Sequence, residues 1–187
     1  QHRPAPGDPP FLLQHPTPKS LLVQASTSQL NLNAFPATLP DIEFKHIEAF
    51  GKQMFSSASF ALQSVNLSCL LGRYSYVLWD LVSNILPAVP GDLRTSLQKI
   101  IEDDQDMTKY VIRSGLDTTD CLGRAVGTSV VLRHHAWIRS TGFYSEQHLI
   151  DMPFDGTRLF GDKADSTFES FKESKATVRS LGLAPPI

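Results

Sequence analysis

Apolar side chains recur along this chain with helical spacing, in three long runs separated by proline and glycine. Before the first run, residues 1–19 hold six prolines, at positions 4, 6, 9, 10, 16 and 18. A backbone so short of donors is expected to form an extended linker. Leu21, Leu22 and Val23 then make a short apolar patch, which fits either a strand or an arm laid on a helical body. At Thr38-Leu39-Pro40-Asp41 the pattern changes. Thr38 can cap a helix, Pro40 suits its first turn, and Asp41 completes the capping pattern. Ile47, Phe50, Met54, Ala58, Ala61, Val65 and Cys69 step by three or four, predicting a helix to about Leu71. A second segment, Tyr74 to Leu86, carries Val77, Leu78, Leu81, Val82 and Ile85 and ends at Pro87, Pro90 and Gly91.

The third run is the longest. No proline interrupts Asp92 to Arg139. Leu93, Leu97, Ile100, Met107 and Val111 form its first stripe, with Asp104 standing in it as a polar residue able to set register. The stripe then shifts to Ile112, Leu116, Thr119, Leu122, Val126, Val130 and Trp137. Unbroken, such a helix is roughly 70 Å long, whereas a compact chain of this size is only ~40 Å across. Either it breaks, with Ser114-Gly115 the weakest point, or a second copy covers its stripe. Gly115, Gly123 and Gly127 favour the second. Each interior glycine costs about 1 kcal/mol relative to alanine, a cost that suits close approach of another helix, and Gly123 and Gly127 share a face. The expected interface is Ile112, Leu116, Thr119, Leu122, Gly123, Val126, Gly127 and Val130.

Beyond Gly142 the pattern becomes irregular. Pro153 and Asp155-Gly156 set turns, while Phe154, Leu159 and Phe160 can pin the segment to the body. Trp137 is placed to hold that segment, and Trp79 reads as a second core anchor. A weakly striped helix is expected from about Asp162 to Leu181. The predicted fold is all-α, an elongated bundle of long helices forming a coiled-coil-like dimer. Residues 1–37 are expected to be linker and arm, and 38–187 the helical self-association domain.

Composition narrows the function. The chain has 187 residues, 41% hydrophobic and 19% charged, with a formal net charge of -2. Bulk charge therefore gives no general affinity for nucleic acid. Cys69 and Cys121 show no metal or redox spacing and fit a reducing, intracellular setting. Gln53 to Gly72 is uncharged over twenty residues, the length of a membrane span. Its many Ser, Gln and Asn side chains suit a packed helix better, so no membrane association is expected. Asn66-Leu67-Ser68 matches a glycosylation sequon, read as chance without a secretion signal. Gln1 in place of an initiator Met is expected of a piece of something longer.

Candidate chemistry is sparse. His134 and His135 diverge by about 100° around a helix and have no acidic or cysteine partner one turn on, so no metal site is expected. Arg124, Arg133 and Arg139, with His134, His135 and His148, make a locally basic stretch. It complements a helix C-terminus, or alternatively contacts phosphates without sequence preference. Glu102, Asp103, Asp104 and Asp106 point in successive directions around a helix and read as a solvated face. No nucleophile elbow or phosphate-binding glycine loop is present. The chain is not expected to be an enzyme, and no cofactor is implied.

Several motifs together carry a resemblance. They are Ala37-Thr38-Leu39-Pro40-Asp41, Leu71-Gly72-Arg73-Tyr74 with Trp79, and Gly115-Leu116-Asp117 with Asp120. Ala136-Trp137-Ile138-Arg139-Ser140-Thr141-Gly142 follows. Most specific is Leu149-Ile150-Asp151-Met152-Pro153-Phe154-Asp155-Gly156 with Leu159-Phe160, and a tail from Lys172 to Gly182 completes the set. Over positions 20–187 the sequence resembles the Gag-like protein of DIRS-type retrotransposons. It also resembles the related C-terminal domain of the alpha isoform of lamina-associated polypeptide 2. The resemblance implies a helical, dimeric scaffold, with itself, A-type lamins or other nuclear proteins as partners, in the nucleus or cytoplasm. The alternative is a non-sequence-specific nucleic-acid-packaging module.

Overall fold

The computed structural model describes residues 12, 14–20, 23, 39, 41–140, 150, 152, 154 and 158–181. The fold is all-α. Helix α1 runs over Ile42–Ser83, α2 over Gly91–Ser140 and α3 over Asp162–Ser180. A short 3-10 turn, Leu86–Ala88, joins α1 to α2. Among the described residues no strand forms, and extended pairing is limited to an isolated parallel bridge between Thr17 and Arg158.

Two expectations about α1 are corrected. Its observed cap is Asp41, whose Oδ1 accepts the N–H groups of Glu43 (2.7 Å) and Phe44 (3.4 Å). A carboxylate there satisfies orphan N–H groups and favours the positive end of the helix. Thr38 and Pro40 lie outside the described residues. The helix also does not stop near Leu71. Its stripe changes phase because α1 carries two stripes, an inner one through Val65, Cys69, Gly72 and Tyr76, and an outer one through Leu71, Tyr74, Leu78 and Leu81. The two segments read from the sequence belong to different faces of one helix.

Helix α2 is likewise continuous through Ser114-Gly115. Gly115 makes no break because it is packed: a Cβ there would overlap Cys69 Sγ.

The chain divides into two compact units, each drawing on both long helices. The first, here the hairpin unit, contains residues 57–125. Within it α1 and α2 run antiparallel, since Cys69 faces Gly115, Gly72 faces Ile112, and Lys109 Nζ lies 5.8 Å from the Tyr76 ring centroid. Its turn is fastened by Arg94, whose Nη2 donates to the carbonyls of Pro87 (2.7 Å) and Val89 (3.0 Å).

The second, the core unit, contains residues 9–56 and 126–187. Phe55, Val130, Trp137, Ile138, Leu159 and Phe160 are fully covered, joined by Val23 and Leu39. Phe55 meets Phe154 edge to face with centroids 6.4 Å apart, a favoured aromatic geometry. Helix α3 contributes Ala164, fully buried, while Val178 and Leu181 near its end are exposed.

Candidate functional site

The most organised polar cluster in the core unit is built around Arg133. Gly51 on α1 makes room for it, because a Cβ there would collide with Arg133 Cγ. Glu48 lies one turn earlier on the same helix. Arg133 Nε donates to Glu48 Oε2 and Nη2 to Oε1, each at 3.0 Å, and Nη2 also reaches the Pro16 carbonyl at 2.7 Å. Both side chains are almost wholly buried, and Lys52 Nζ reaches the same carboxylate at 3.3 Å. A buried guanidinium needs a partner of this kind, since an unpaired charge would be strongly destabilising. Arg133 Nη1 and Trp137 Nε1 are buried donors with no hydrogen-bond partner among the described residues.

His134 extends the cluster toward the segment that follows α2. Its Nδ1 lies 3.0 Å from the Ile150 carbonyl, its Nε2 contacts the Leu159 carbonyl, and its ring stacks on Phe160 with centroids 4.7 Å apart. Burial pushes the imidazole below its ordinary value of 6.5; the two carbonyl contacts pull it back up, and Arg133 adds to the downward push. His15, on the arm beside Pro16, is also held below its ordinary value, by burial and then by Arg133 and Lys52, against Glu48.

The predicted interface residues separate into two groups. Val126 and Val130 are only 7% and 2% exposed, committed to the core unit, so neither is free for a partner. Ile112 packs on Gly72, and Leu122 is half-buried. Leu116, Thr119, Gly123 and Gly127 are exposed, and Cβ atoms on the two glycines would meet nothing within 4 Å. The proposed close approach at Gly123 and Gly127 therefore has no counterpart among the described residues. Close approach does occur at Gly115, and at Gly51 and Gly72, which the α2 stripe gave no reason to single out.

The basic stretch is also redistributed. Arg133 is fully buried against Glu48 and cannot contact a phosphate, which corrects its assignment as a nucleic-acid contact. Arg124 is exposed and ion-paired with Asp120, and Arg139 is half-buried. Of the anchors, Trp137, Leu159 and Phe160 are fully buried, Phe154 and Trp79 are half-buried, and Pro153 and Gly156 lie outside the described residues. Among the described residues no three His, Cys, Asp or Glu side chains are grouped as metal ligands.

The other organised feature is apolar and exposed. On α1, Phe60, Leu67, Leu71, Tyr74, Leu78 and Leu81 lie 42–63% exposed. From Leu67 they alternate steps of four and three, the spacing of a coiled-coil seam. On α2, Leu93, Ile100, Met107 and Val111 form a matching stripe, 51–65% exposed. Half-buried Leu97 and Asp104 fill the intervening positions, and Thr108 Oγ1 donates to Asp104 Oδ2 at 3.5 Å. The segment Ile42–Ala88 is long and apolar enough to cross a membrane by length and composition alone. Within this segment the polar side chains of Ser59 and Gln63 are buried inside the chain.

No protein-family model matches the chain, and neither the curated proteins nor the solved structures compared with it yield a match.

Proposed function

We propose that this chain is a self-associating structural domain, in which the core unit anchors two long helices and their outer stripe pairs with a second copy. The observation that carries this reading is the pair of exposed stripes, six large apolar side chains on α1 from Phe60 to Leu81 and four on α2 from Leu93 to Val111, each 42–65% exposed. Exposed apolar rows of this kind mark interaction sites. Periodicity favours a helical partner, because steps of three and four keep one seam facing another helix over several turns. A second copy supplies such a seam.

The resemblance to the Gag-like protein of DIRS-type elements and to the lamina-associated polypeptide 2 domain supports the same reading. A scaffold role, in element assembly or in the nucleus with A-type lamins, follows from that resemblance.

Light scattering across a concentration series, at low and high salt, tests the proposal. A dimer or larger species is expected at both salts, because apolar pairing is not screened. Leu71→Glu combined with Leu78→Glu should give a monomer that keeps its helical circular dichroism. A monomeric wild type, or a dimer that survives both changes, would reject the outer stripe as the pairing surface.

A further inference from the structure

The arm, residues 14–20, is tied to the core unit through its backbone. The Pro16 carbonyl accepts from Arg133 Nη2 at 2.7 Å, and the Thr17 carbonyl accepts the Leu159 N–H at 3.0 Å. Thr17 and Arg158 form the bridge, and Pro16 and Ser20 are buried. Both ties end on the polar cluster: Arg133 directly, and Leu159 through its carbonyl, which contacts His134.

The charges there are unevenly balanced. Arg133 and Lys52 share one carboxylate, Glu48. His15 immediately precedes Pro16; Arg133 from α2 and Lys52 from α1 repel its protonated form, and Glu48 from α1 attracts it. His134 lies beside this cluster, but both its ring nitrogens meet carbonyl oxygens, of Ile150 and Leu159, which accept from its protonated form. No such acceptors meet His15 among the described residues: with His15 neutral, two cations share one carboxylate, and with it protonated, three do. His15 is exposed, so solvent screens part of this repulsion; the arm relieves the rest by leaving, because it carries His15 away from Arg133.

We propose that residues 14–20 form an acid-released strap, closed over the core unit near neutral pH and driven off by charge crowding around Arg133 while the helices remain folded. The sign follows from linkage. Burial and Arg133 and Lys52 hold His15 below 6.5 in the closed state, so the closed state binds fewer protons than the open one. Closure is complete above about 6.5 and is lost as pH falls below it toward the lowered value.

Amide exchange of the full chain, corrected for intrinsic rates, reads the strap at the Leu159 N–H, which Thr17 holds. Between about pH 7.5 and about pH 5.5, protection at the Leu159 and Lys19 amides, both held on the Thr17 carbonyl, should be progressively lost. The far-UV circular dichroism should not change. His15→Asn, an exposed and neutral replacement, should keep the strap protected at the acid pH. The proposal is overturned by unchanged protection in the wild type, by His15→Asn opening as readily, or by loss of the helical signal along with the strap.

Discussion

The two units use the same pair of helices very differently. In the core unit, α1 and α2 close around Phe55, Val130, Trp137 and Ile138, with Leu159 and Phe160 sealing the cluster. In the hairpin unit, the buried apolar side chains among the described residues are Ala58 and Ile101, while Leu71, Tyr74, Met107 and their neighbours stay open. A two-helix pair has only one inner seam, and here that seam is filled by small residues such as Cys69, Gly72 and Gly115. The larger side chains are left on the outside. One unit can hold itself folded by burial; the other carries its hydrophobic surface where only something outside the unit can cover it. The sharpest break of that comparison is truncation on both sides. Trp137→Ala should cost about 3–5 kcal/mol by urea unfolding, as for a buried aromatic. Leu78→Ala should cost less than about 0.5 kcal/mol in dilute monomer and act on association instead. Equal costs would mean that the two units do not differ in this way.

The second effect tests whether the core unit's polar cluster belongs to its stability. Glu48→Ala leaves Arg133 buried without its carboxylate and should destabilise by about 3–5 kcal/mol. Adding Arg133→Met should recover most of the loss, since an apolar side chain of similar length needs no counter-ion. A double variant as unstable as Glu48→Ala would place the cost in packing at Gly51 rather than in charge.

Much of this was legible in the sequence, and the losses have physical causes. The long α2 could be read because nothing between Asp92 and Arg139 disfavours a helix strongly enough to stop it. Trp137, Leu159 and Phe160 could be recognised as anchors because large apolar side chains in a polar, turn-rich setting have few other uses. The two stripes on α1 could not be separated by periodicity alone, because each obeys the same steps of three and four. Only the partner helix decides which one faces inward. Arg133 was misread for a related reason. An arginine in a basic stretch near a helix C-terminus looks solvated, and its partner Glu48 is eighty-five positions away. The only local hint was Gly51, an interior glycine one turn beyond Glu48, whose use becomes clear once a guanidinium stem has to pass it.

A third, smaller effect concerns the inner seam of the hairpin unit. Gly115→Ala places a methyl group against Cys69 Sγ and should cost about 1–3 kcal/mol through overpacking, partly offset by better helix propensity. Cys69→Ala in the same chain removes the obstructing atom. The double variant should then be more stable than Gly115→Ala alone, by chemical denaturation. If Gly115→Ala is neutral by itself, the Cys69 side chain turns aside without cost and the seam is looser than its geometry implies.

The smallest effect separates the two faces on which a second copy could sit. A Cβ at Gly123 or Gly127 meets nothing within 4 Å, so alanine at either position should stabilise the isolated chain by about 1 kcal/mol through helix propensity alone. What the same substitutions do to association is the informative part. If copies pair through the outer stripe from Phe60 to Val111, the dimer constant measured by sedimentation should not change beyond that gain in folding. If a helix of the second copy instead lies against these glycines, two added methyl groups hold the backbones apart and the dimer weakens while the monomer strengthens. Opposite signs for folding and association would move the pairing surface along α2, to where the sequence first suggested it. A gain in folding with association unchanged keeps it on the exposed stripes of the hairpin unit.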